Sequence, residues 1–212
     1  MSALAQIIDN VEADLKDSTN VAWSAAELTR AIRWTLHELS WAMPRRAVVT
    51  LSAQEGVHEY SLAAAGILDL LFITEVWYPY TAGEPEHPPC SVAWRLLDDD
   101  TLFLDVAAVR AGEGIRLFYA RPHTIEGLDS AAATTLSLEQ EELISLGAAG
   151  YAALQRAQDA IGRVNISGQA PALWRDWGER RLREFRTRLD QLARRELQWR
   201  AAWTEGWQVE DT

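Results

Sequence analysis

The hydrophobic period of this chain changes twice, and those changes decide what it can become. Leu4, Ile7, Ile8, Val11 and Leu15 recur at spacings of three and four, so residues 4–16 read as a helix with one apolar face. Asp17-Ser18-Thr19-Asn20 breaks the pattern. Ser24 and Glu27 then form a capping-box signature, in which a hydroxyl and a carboxylate satisfy each other's free backbone N–H groups. A second helix follows to about Ala42, with Leu28, Ile32, Leu36 and Leu39 on one face, and Pro44 stops it.

From Ala47 the pattern turns β-like. Ala47–Ser52 and Val57–Leu62 flank the turn Gln54-Glu55-Gly56. Leu70–Tyr80 is the strongest strand signal, rich in β-branched and aromatic residues. Thr81–Pro89 carries Gly83, Pro85, Pro88 and Pro89 and reads as a loop. Val92–Leu97 and Thr101–Val106 flank Asp98-Asp99-Asp100 as a hairpin, and Ile115–Arg121 alternates after Gly112-Glu113-Gly114. Helical spacing returns after Pro122–Asp129. Ser137 and Gln140 offer a second capping box before a helix that runs to about Arg163. Asn165–Gln169 is a turn, and Pro171 suits the first turn of a final helix.

The expected fold class is therefore α+β: a helical bundle, an inserted small antiparallel β-sheet or sandwich, and a long C-terminal helical arm. The expected domains are a body at 1–163, with helices over 4–42 and 137–163 around a β insertion at 47–121, and an arm at 164–212.

The arm stands apart chemically. Residues 173–203 hold nine Arg, no Lys and four Trp (Trp174, Trp177, Trp199, Trp203), for a charge of +4 after their five acids. Residues 1–172 carry −12 and the last few residues −3, so the whole chain stands at −11. An acidic body repels nucleic acid at long range, which argues against DNA binding by residues 1–172. Lys16 is the single lysine beside nineteen Arg. Arg favours planar, poorly hydrated interface ion pairs, although GC-rich codon usage gives the same skew. The apolar stripe Leu182, Phe185, Leu189, Leu192, Trp199, Trp203 keeps a heptad rhythm interrupted at Glu196. It serves either packing within the subunit or docking onto a partner; Trp and Arg dominate binding hot spots, which favours docking. The candidate docking residues are Trp174, Trp177, Arg181, Leu182, Phe185, Arg188, Leu189, Leu192, Trp199 and Trp203, with Arg180, Arg183 and Arg186 facing acids of the partner.

Catalytic signatures are weak. His37-Glu38-Leu39-Ser40-Trp41 lacks the second His that a zinc-protease helix requires. His87 and Cys90 supply two ligands, too few for a structural zinc site. Asp98-Asp99-Asp100 lacks the spacing of a calcium loop and reads as a solvated turn. Gly112-Glu113-Gly114 opens a strand and has no phosphate-binding Lys after it. Neither a metal nor a cofactor is expected, and the chain is expected not to be an enzyme. A site scattered over Asp98, Asp100 and His123 is the weakest of the alternatives. Trp77, Tyr78, Tyr80, Trp94, Phe103, Phe118 and Tyr119 fill either a core or an interface; Trp77, Tyr80 and Trp94 are also of the type that stacks on sugars. Cys90 is alone, so no disulfide forms within the chain. Met1–Lys16 lacks the basic start and apolar run of a signal peptide, and no stretch reaches the ~20 apolar residues that span a bilayer. A soluble cytosolic product is expected, with no membrane partner.

Two stretches resemble the head-to-tail adaptor (connector) proteins of tailed bacteriophages. One is the opening: Asp17, the entry Val21-Ala22-Trp23-Ser24, and the helix Glu27–Ala42 ending before Pro44. The other is Ile115–Leu154, where the strand IRLFYARPH precedes a loop and the helix LSLEQEELISLGAAGYAAL. The resemblance spans roughly residues 5–160 and is one of pattern. It implies a structural virion protein of the neck, assembled in the host cytoplasm, that forms a homo-oligomeric ring, usually of twelve copies. Its implied partners are the portal protein and the tail or tail-terminator and stopper proteins. The ring would extend the channel used in genome packaging and ejection, with double-stranded DNA passing through unbound. No catalytic residues are implied. Ring contacts would use the small residues Gly147–Gly150 and the aromatic β region. The competing reading is a tail-associated β-domain that binds a glycan or receptor.

Overall fold

Ser24 opens the second helix as its spacing predicts. Its hydroxyl accepts the Glu27 N–H, and the Glu27 carboxylate accepts the Ser24 N–H at 2.7 Å. The computed structural model of the protein describes residues 3–17, 22–83, 91–160 and 170–205, and within the last of these the side chains of 171–198. The elements are α1 (Leu4–Leu15), α2 (Ala25–Ala42), β1 (Arg45–Ser52), β2 (Glu59–Ser61), β3 (Phe72–Tyr80), β4 (Trp94–Leu96), β5 (Thr101–Leu104), β6 (Gly114–Arg121), α3 (Leu138–Ala160) and α4 (Ala170–Glu205). The fold is α+β, with four helices and two small antiparallel sheets among the described residues.

The chain divides into two units. One is helical and joins residues 1–43 to 123–212; the other is the β insertion, residues 44–122. The boundary expected between a body and an arm at residue 164 separates no units, because α4 packs along α3.

In the helical unit Ile7, Val11, Leu28, Ile32, Leu39, Ile144, Ala148, Ala149, Leu182 and Phe185 share one core. Every residue from Leu143 to Gly150 is buried, so the middle of α3 is covered all round. The small residues there, expected to serve ring contacts, are spent inside the chain. A Cβ at Gly147 would stand 2.6 Å from Thr35 Cγ2 and 3.0 Å from the Phe185 ring. A Cβ at Gly178 would stand 2.9 Å from the Gly150 carbonyl, so α3 and α4 cross where both lack side chains. Asp17 ends α1 and steers the chain into α2, its carboxylate accepting the Ala22 and Trp23 N–H groups at 2.9 Å each. The Trp23 indole N–H reaches the Ala152 carbonyl at 3.1 Å. Ser137 and Gln140 cap α3 as expected, with Ser137 N–H donating to Gln140 Oε1 at 2.8 Å.

In the β unit the first sheet runs in the order β1-β6-β3 and the second β2-β5-β4. Alternation places Ile73, Val76, Tyr78, Ile115, Leu117 and Tyr119 of the first sheet in one core with Tyr60, Leu102 and Leu104 of the second. Both ends of the insertion meet: Arg45 pairs with Arg121 at the margin of β1 and β6. The helical unit shows the same closure on its own side. His123 Nε2 lies 3.0 Å from the Met43 carbonyl, and the His123 N–H donates to Ser40 Oγ at 3.0 Å.

Candidate docking surfaces

Helical spacing fixes which α4 side chains are available to a partner. Leu182, Phe185 and Leu189, three of the expected anchors, point into the core of the helical unit and are buried. This corrects their assignment: the stripe is the inner face of α4, and an apolar face packed within the chain offers nothing to a neighbour. Trp174 and Trp177 are half-buried against the same core. Trp174 meets Trp23 edge-on with centroids 5.0 Å apart, and the Arg181 guanidinium lies 5.1 Å from the Trp177 ring centroid. Arg188 and Leu192 line a notch of about 370 Å³ between α3 and α4, with Glu139, Gln191 and Arg195. The side chains of Trp199 and Trp203 lie outside the described residues.

Several arginines of α4 already have partners. Arg188 and Arg181 reach Glu184 at 2.5 and 3.6 Å, Arg195 reaches Glu139 at 2.5 Å, and Arg186 reaches Glu38 at 3.1 Å. The Arg188–Glu184 and Arg195–Glu139 pairs are exposed and contribute little, so they do not withdraw those guanidinium groups from an acidic surface.

A second surface lies on α2, on a face that hydrophobic periodicity does not mark. Arg30, Trp34, His37 and Trp41 recur at helical spacing on the side away from Leu28, Ile32, Leu36 and Leu39. Trp41 is 52 % exposed and Trp34 38 %. The Arg30 guanidinium lies 4.7 Å from the Trp34 centroid, Tyr151 of α3 packs against Trp34 at 5.5 Å, and the Trp41 indole N–H donates to His37 Nε2 at 3.1 Å. Glu38 sits beside them, accepting hydrogen bonds from the Tyr151 hydroxyl and the Arg186 guanidinium. Burial pushes its carboxyl up, but the bonds from Arg186 and Tyr151, with the charges of Arg186 and His37, outweigh that and hold it below its ordinary value. Tyr151 is pushed up by burial and by Glu38. A signal for this face was present: two tryptophans on the polar side of an otherwise regular amphipathic pattern.

The β unit presents aromatics of its own. Trp77 packs edge-on against Phe118 at 4.5 Å and lies 6.4 Å from Tyr80, with the Arg116 guanidinium 4.7 Å from the Tyr80 centroid. Trp94 lies on β4 in the other sheet, half-buried against the β core.

Asp98, Asp100 and His123, the residues of the scattered-site alternative, are each engaged locally. Asp98 accepts the Asp100 N–H at 2.8 Å and the Thr101 N–H at 2.6 Å; the first of these, with the Thr101 hydroxyl, holds its carboxyl below the ordinary range. Asp100 accepts the Ala63 N–H and the Ser61 hydroxyl. His123 belongs to the helical unit and lies within reach of Thr135 and the Met43 carbonyl. Among the described residues no three His, Cys, Asp or Glu side chains cluster to hold a metal ion; His87 and Cys90 lie outside them. Among the described residues no helix is long and apolar enough to cross a membrane. No protein-family model matches the chain, and no curated protein does.

Proposed function

We propose that this protein is a structural subunit of the neck of a tailed-bacteriophage virion, a head-to-tail adaptor. Its copies form a ring, of twelve in such assemblies, beneath the portal protein, and the ring extends the DNA channel and gives the tail or its stopper a surface to join. Its role is mechanical, with no chemical step. One observation carries the reading: the helical unit keeps Trp34 and Trp41 in solvent beside Arg30, Tyr151 and Arg186. Exposed tryptophans among arginines have the composition of an interface core. The −12 charge of residues 1–172 suits a wall past which DNA slides without adhering.

The test is assembly. Trp34→Ala with Trp41→Ala should leave a folded chain that no longer joins DNA-filled heads to tails, seen as untailed heads by negative-stain microscopy. Purified virions that lack the chain by mass spectrometry would sink the reading. A second reading, glycan recognition, draws on the Trp77, Tyr80 and Arg116 cluster; binding on a glycan array that disappears with Trp77→Ala would favour it.

A further inference from the structure

The last turn of α1 and the first turns of α4 enclose a groove of about 500 Å³, lined by Asp14, Leu15, Lys16, Leu173, Trp174, Trp177 and Arg180. Its floor is preset, with Trp174 held edge-on by Trp23 and Trp177 held by Arg181. A floor that needs no reordering binds more tightly for the same contact area. Leu173 stands on the rim, 67 % exposed. Two cations face one carboxylate here, and neither Lys16 nor Arg180 has an ion-pair partner among the described residues. The carbonyl end of α1 would oppose an anion, but the Lys16 and Asp17 N–H groups cap Ala13 and Glu12 there. The groove therefore suits a short segment that joins apolar side chains to carboxylates.

This chain carries such a segment. The β4–β5 hairpin exposes Leu96 and Leu97, at 38 % and 47 %, next to the exposed carboxylates of Asp98 and Asp99. The tip is rigid. The Leu97 N–H bonds to the Thr101 carbonyl at 2.9 Å, Asp98 caps the turn, and Asp100 ties it to Ser61 and Ala63. Asp99 has no hydrogen bond or ion pair among the described residues.

We infer that the α1/α4 groove of one copy receives the Leu97–Asp99 tip of a second copy, leucine against Trp174 and Trp177 and aspartate against Lys16 and Arg180. Groove and tip are different patches, so the contact is head-to-tail and can propagate from copy to copy, as a ring demands. It deepens the adaptor reading by naming the subunit contact, but the two fail separately: the contact is judged on purified protein, the adaptor role on virions.

The experiment is sedimentation velocity on the full chain over a range of concentrations, with two disabled variants. Trp177→Ala with Arg180→Glu spoils the groove and leaves the tip; Leu97→Ser with Asp99→Lys spoils the tip and leaves the groove. Wild type should associate beyond its 23.8 kDa monomer, and each variant alone should remain a monomer under the same conditions. An equimolar mixture should recover a one-to-one pair and nothing larger, because only one competent groove and one competent tip remain. Arg180→Ala, the milder change, should weaken wild-type association roughly tenfold, and more at low salt than at high. Circular dichroism confirms that each variant is folded. Wild type that stays monomeric at every concentration overturns the inference, whether the groove is then filled by its own chain or by a foreign partner. So does a disabled variant that associates like wild type, or a mixture that fails to pair.

Discussion

The helical unit and the β unit differ at the centres of their interiors. In the helical unit the centre of α3 is Gly147-Ala148-Ala149-Gly150, and side chains of α2 and α4 (Thr35, Leu182 and Phe185) occupy the space that larger residues there would take. In the β unit the space is filled from the side chains inward, by Leu, Ile, Val and Tyr at every second position. The α3 crossing is therefore sensitive to added volume, and the alternating β core to lost volume. Away from that crossing the helical unit also fills its core with large side chains, Ile7, Leu28, Ile32 and Leu39 among them, and the fully buried Phe185 lays its ring against Gly147.

Four changes would break or sharpen this contrast. Phe185→Ala should destabilise the helical unit by about 3–5 kcal/mol through the cavity it leaves. Hydrogen exchange read by mass spectrometry should show protection falling across α1 to α4 while β1 to β6 keep theirs. Equal loss in both units would mean that they do not behave as separate interiors. Gly147→Val should cost about 1–3 kcal/mol by overpacking against Thr35 and Phe185. A neutral result would show that the close approach has slack.

A weaker effect concerns acid. The folded Glu38 carboxyl lies below its ordinary value of 4.5, so its contribution to stability is complete above that value and is lost as pH falls through the lowered one. Glu38→Gln should flatten the decline of the melting temperature between about pH 5 and 3. An unchanged acid limb would assign that decline to other carboxylates. The smallest effect should come from the largest excision. Replacing residues 44–122 by a short Gly/Ser linker should leave amide protection in α1 to α4 near its original level, because Met43 and His123 already meet through the imidazole. Collapse of the helical unit would show that the insertion supports it.

Much of this architecture was legible in the residue pattern because its signals are local. Ser24 with Glu27 and Ser137 with Gln140 mark helix starts by chemistry that spans three residues, and Asp98-Asp99-Asp100 marks a turn between two strands. What a stripe packs against is not local. Leu182, Phe185 and Leu189 would keep the same spacing in a bundle core or on a docking helix, and only the position of α3 shows that they are internal. Gly147 and Gly150 were open to the same ambiguity. Trp34 and Trp41 are illegible for the converse reason: they fall outside the apolar stripe that α2 needs, so periodicity assigns them nothing.

The pairing of Arg45 with Arg121 has a kinetic consequence. For α2 to find α3 while residues 44–122 are still a random chain, the search must close a very long loop, and the entropy of that closure delays the encounter. Once β1 and β6 have zipped together, the two exits of the insertion stand side by side, and the same search becomes one between near neighbours. Where the insertion folds first, the β1–β6 ladder tethers its two flanks, and α2 meets α3 without closing the long loop again.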